Sequence, residues 1–137
     1  MNYVALSVVA LVCYAMVAPL VKLATRQIPP EVAVVITNSI LALMAFSWAK
    51  FQGKSIMPYL TAKPIWLLVG AGIFLGISII AYYLAIGAGP VSIVVPIYGL
   101  FIVVSSLMSV VLLGETLTIT RVLGLVCAVL AIYLVTR

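Results

Sequence analysis

Apolar residues fall along this chain in five long blocks, separated by short stretches that hold nearly all the charges, prolines and glycines. The blocks cover about residues 3–24, 32–51, 65–86, 90–113 and 119–135. A helix rises about 1.5 Å per residue and a bilayer core is about 30 Å thick, so about 20 apolar residues cross it. Four blocks reach that length, and the fifth, at 17 residues, sits near its lower limit. The pattern predicts an all-α polytopic membrane protein: a bundle of five transmembrane helices in one domain over residues 1–137.

The stretch from Gly87 to Thr118 carries the most local information. Gly87-Ala88-Gly89 reads as a three-residue turn, which makes the third and fourth spans antiparallel neighbours. Pro90 suits a first helical turn, where a missing N–H costs nothing. Pro96 lies deeper, where it removes a backbone hydrogen bond and kinks the helix. Ser92, Pro96, Gly99, Val103 and Ser106 share one side at helical spacing, and this strip is read as a cavity wall or a close helix contact. Thr118 is an expected N-cap for the fifth span.

The other connections differ in kind. Residues 25–31 end in a diproline that stops one helix and places Glu31 near the positive end of the next. Residues 52–64 form the longest loop, with Lys54, Lys63 and two prolines. The first span opens without a basic residue ahead of it and is too long for a signal-peptide core, so it is expected to remain as a span.

Composition agrees with this reading. Hydrophobic residues make up 67% and charged residues 7%, against about 25% charged in soluble domains. The net charge of +5 comes from positives between the apolar blocks. They act as membrane-surface anchors, where a nucleic-acid face would need a basic stripe on a soluble fold. Cys13 and Cys127 lie inside apolar blocks, which argues against a disulfide framework. With five spans, Lys50, Lys54, Lys63 and Arg121 fall on one side and Lys22, Arg26 and Arg137 on the other. Four against three gives almost no orientation bias, so dual topology and a fixed topology with the long loop inside both remain open.

Polar residues within the blocks are the candidate chemistry. Gly72 and Gly76 form a small-xxx-small pattern that continues through Ile79, Tyr83 and Gly87, expected to pack closely within the chain, against the fourth span, with a dimer seam as the alternative. Gly124, Ala128 and Ala131 repeat the spacing in the fifth span, where a dimer seam is the better reading. Tyr14, Asn38, Tyr83, Tyr98 and Ser106 lie deep in their spans and are expected to line one mid-membrane cavity whose wall is shaped by Pro96. Plain interhelical hydrogen bonding is the alternative for each of them. Tyr3, Tyr59 and Tyr133, near span ends, read as interfacial anchors. There is no His, no paired carboxylate and no metal-ligand cluster, so neither catalysis nor a cofactor or metal is expected.

The run from Ala85 through Gly87-Ala-Gly-Pro90 to Pro96, the segment Leu113-Gly-Glu-Thr-Leu-Thr118 and Gly124 resemble the EamA-like repeat of the drug/metabolite transporter superfamily. The resemblance covers the whole chain, and a single repeat is similar to the half-length five-helix bacterial and archaeal transporters. It implies alternating-access transport of small metabolites or drugs, an antiparallel homodimer around a central cavity, and a multi-pass place in the cell (inner) membrane. The small multidrug resistance proteins are also similar, but their buried first-helix glutamate is matched here by Cys13-Tyr14-Ala15. Proton-coupled export of cationic drugs by that route is therefore not expected. A second reading makes the chain a non-catalytic subunit of a heteromeric transporter or lipid flippase assembly.

Overall fold

Two of the long apolar blocks are each cut into two helices. The structure, a computed structural model, describes residues 2–137. The first block forms α1 (Tyr3–Ala15) and α2 (Val17–Ala24). Pro19 has no N–H to offer the Ala15 carbonyl four residues back, and the ladder breaks there. The Met16 N–H turns instead to the Cys13 carbonyl at 3.3 Å. Asn2 opens α1 with its side chain accepting from the Val4 N–H at 3.1 Å, an ordinary N-cap.

The second block is α3 (Pro30–Phe51), which starts two residues before the expected boundary. Pro30 occupies the first helical position, where its fixed φ is already helical, and Glu31 follows in the first turn. Near the other end the Lys50 ammonium lies over the Phe46 ring, 5.6 Å from its centroid. The long loop holds one 3₁₀ turn, Met57–Tyr59.

The third block, α4 (Ile65–Ala88), corrects the expected turn. Gly87 and Ala88 remain helical, because the C-terminal carbonyls of α4 are held by a side chain from α2, described below. The fourth block divides into α5 (Val91–Gly99) and α6 (Phe101–Leu113), with Pro90 as N-cap. The interruption falls at Leu100, past Pro96 where the kink was expected. The Leu100 N–H bonds to the Ile97 carbonyl at 3.1 Å in a tighter turn. Gly99, a poor helix former next to this site, lets the bend gather there. Gly114 ends α6 at φ +67°, a left-handed cap. Thr118 caps α7 (Ile119–Val135) as expected, accepting from the Arg121 N–H at 3.4 Å. Among the described residues there is no strand.

Among the described residues, four helical stretches are long and apolar enough to cross a membrane: Tyr3–Ala24, Pro30–Phe51, Ile65–Ala88 and Val91–Leu113. The apolar helix Ile119–Val135 is shorter. The chain forms two compact units, one ending at Ala88 and the other spanning Gly89–Arg137.

In the first unit α4 packs on α3 and α2. Its buried residues are Ala18 and Val21 of α2, Ala33 of α3, and Tyr82, Tyr83 and Ile86 of α4. Tyr82, Tyr83 and Ile86 belong to the C-terminal part of α4 and Ala33 to the first turns of α3. In the second unit α7 packs against α5 and α6, and a Cβ built on Gly99 would stand 4.0 Å from the Ile132 side chain, an ordinary contact.

Candidate functional site

The helix ends that meet in the first unit bring a lysine onto the end of α4. Lys22, in the last turn of α2, donates through Nζ to the carbonyls of Ile86 at 2.7 Å and Gly87 at 3.2 Å. Both carbonyls belong to the last turn of α4, where no backbone partner is available. The ammonium also sits at the negative dipole end of two helices, α2 and α4. Beside it, a Cβ built on Gly87 would stand 2.7 Å from Cγ of Pro30. Glycine at this position is what allows α3 to begin against the end of α4.

About one turn further into α4, the buried Tyr83 hydroxyl donates to Thr37 Oγ1 at 3.0 Å. Thr37 in turn donates back to the Ala33 carbonyl at 2.9 Å. Asn38, the next residue, donates through Nδ2 to the Val34 carbonyl at 2.8 Å, which leaves Oδ1 and one amide hydrogen for other partners. It lines an open groove of about 510 Å³ between α3 and α4. Ser39 and Ala42 stand beside it, facing Gly72, Gly76 and Ile79 of α4.

Gly72 and Gly76 correct another expectation. They were expected to bring helices close, yet both are exposed and an added Cβ at either meets nothing within 4 Å. Their missing side chains widen the groove. The close approach occurs only at Gly87, the last residue of the same stripe. Gly124 of α7 is likewise exposed and open.

Of the six residues expected to line one cavity, two stand on packed neighbouring helices: Asn38 on the groove, and Tyr83 buried beside Thr37. Tyr14 lies on α1 and is 45% exposed. Pro96, Tyr98 and Ser106 belong to the second unit. There the Tyr98 ring packs near Phe101, centroids 5.4 Å apart, and Ser106 Oγ donates to the Ile102 carbonyl at 2.8 Å. Ser105 and Ser109 also donate to carbonyls one turn back in their own helix. Such back-bonding satisfies a hydroxyl donor without water and leaves its lone pairs outward. The second unit has a groove of about 320 Å³ between α6 and α7, lined by apolar side chains including Val103, Leu107 and Val126.

Lys22, Thr37 and the Pro30–Gly87 contact were missing from the candidate set. From the sequence, Lys22 reads only as a surface anchor. Its signal in the sequence was faint: Ala18, Val21 and Lys22 share one helical face, so the lysine ends a small apolar stripe instead of an exposed one.

Spans charged only near their ends, back-bonded hydroxyls, a mainly apolar groove that carries one amide and proline breaks fit a solute pathway through a membrane. A family model, that of the EamA-like transporter family, matches residues 1–137. The chain belongs to the EamA-like transporter family. It is thus a multi-pass membrane protein of a family that moves small molecules, in keeping with its long apolar helices. No curated protein and no solved structure matches it.

Proposed function

We propose that this EamA-like protein carries small neutral or zwitterionic solutes across the cell membrane by alternating access, working as an antiparallel homodimer of five-span subunits with α7 as the fifth span. The observation that supports this reading is the α3–α4 groove. Its volume, about 510 Å³, falls within the roughly 300–1,000 Å³ usual for small-molecule sites. Its lining is mainly apolar, with no charged side chain, and the Asn38 amide supplies both a donor and an acceptor. A strongly charged solute would find no counter-charge there. The groove is open along one side, and a second copy of the chain would enclose it. The near-balanced positives on the two sides of the spans favour the antiparallel arrangement.

The test is a solute screen with purified protein in vesicles, comparing the native chain with Asn38→Leu. Uptake of at least one uncharged or zwitterionic solute by the native chain, with most of it lost in the folded Asn38→Leu protein, is the expected result. Uptake that Asn38→Leu leaves intact would remove the groove from the pathway. Activity only after addition of a second, different membrane subunit would favour the heteromeric reading.

A further inference from the structure

The two halves of the first span have different mechanical surroundings. Residues 17–24 are fastened into the first unit: Ala18 and Val21 are buried, and Lys22 spans to two carbonyls of α4. Residues 3–15 contain no buried residue. Between them lies Met16, where Pro19 has removed the hydrogen bond that would make the span one rod. Proline breaks of this kind are the usual places where a helix bends.

We infer that Lys22 is a positioning residue of the transport cycle: it fixes the half-helix Val17–Ala24 to the C-terminal end of α4, so that the two move as one body while Tyr3–Ala15 swings about Met16. This builds on the transport reading for its purpose, although the movement itself is measurable without any solute. Lysine suits the task for two reasons. Its ammonium has three donors and reaches both carbonyls at once, and its charge is favoured by the helix dipole. Those bonds lie at the ends of α2 and α4, at the margin of the spans. The Met16 break is flanked by Cys13 and Leu20, which are exposed, so the first half has room to move.

The experiment uses pairs of nitroxide labels in vesicle-reconstituted protein, diluted with unlabelled chain so that only distances within one chain are read. Exposed positions allow three pairs: Leu20 with Leu84 (α2 to α4), Leu11 with Leu84 (α1 to α4), and Leu41 with Ile73 (α3 to α4). In the native chain the Leu20–Leu84 distribution is expected to be as narrow as Leu41–Ile73, and Leu11–Leu84 broader. In Lys22→Met, Leu20–Leu84 should broaden to match Leu11–Leu84, with Leu41–Ile73 unchanged. Lys22→Arg, which keeps a charged donor, should restore the narrow distribution. Native Leu11–Leu84 as narrow as Leu20–Leu84 would overturn the hinge, and this holds even if the variants do not fold. Lys22→Met that leaves Leu20–Leu84 narrow would overturn the role of Lys22, as would broadening of all three pairs together. None of these outcomes depends on which solute is carried, so failure here is separate from failure of the transport reading.

Discussion

Gly87 and Pro30 meet so closely that a Cβ on the glycine would stand 2.7 Å from Cγ of the proline ring. A pyrrolidine ring cannot swing aside as a flexible side chain would, so any larger residue must push α3 and α4 apart. Gly87→Ala is expected to destabilise the fold by about 1–3 kcal/mol, the usual cost of overpacking. Gly72→Ala and Gly76→Ala meet open space and should be neutral or gain up to about 1 kcal/mol from helix propensity. Reversible unfolding in mixed micelles, followed by circular dichroism, compares the three. Equal losses at all three positions would show that the groove is closed by packing in the membrane.

Tyr83 and Thr37 supply a second measurement. The Thr37 hydroxyl donates to its own helix and accepts from Tyr83, so removing the tyrosine hydroxyl leaves the threonine donor satisfied. A double-mutant cycle with Tyr83→Phe and Thr37→Val should give a coupling of about 0.6 kcal/mol, the average found for such bonds in membranes. A coupling near zero would mean that the bond does not persist in the bilayer.

Pro96 leaves the Ser92 carbonyl without its helical donor, and the helix is interrupted four residues later, at Leu100. Pro96→Ala restores the missing N–H and is expected to straighten and stiffen this span. Transport of a solute identified in the vesicle screen should then fall more than stability does. An unchanged rate in a folded, more stable protein would show that the break at Leu100 plays no part in the cycle.

Orientation is the fourth test. Four positives face three, and the orienting rule counts Lys and Arg near the span ends. Labelling of a cysteine placed at the C-terminus from each side of the membrane should find both orientations. Two lysines added within residues 52–64 should shift the population toward one of them. C-termini found on one side only in the native chain would exclude dual topology.

The apolar pattern by itself determined that this chain crosses a membrane and about where its helices lie, and residue type marked the Thr118 cap, although the break expected at Pro96 falls at Leu100. Those properties are local. A run of apolar residues, a proline without an N–H and a threonine before a helix act through their immediate neighbours. Pro19, Gly114 and Thr118 behave as their types require. The family, too, was legible from the Gly-Pro and Gly-Glu-x-Leu-Thr segments.

What only the tertiary structure decided is which side chains meet. Lys22 lies 64 residues from the Ile86 carbonyl it holds, and no local pattern reports that bond. The same bond keeps Gly87 and Ala88 helical where the sequence reads as a turn, because a tertiary cap can satisfy carbonyls that the chain itself leaves open. Likewise, the spacing of Gly72, Gly76 and Gly87 marks one helical face but does not say where a neighbour approaches. Contact depends on how α3 crosses α4, and the one close approach along that glycine stripe is at Gly87, against Pro30.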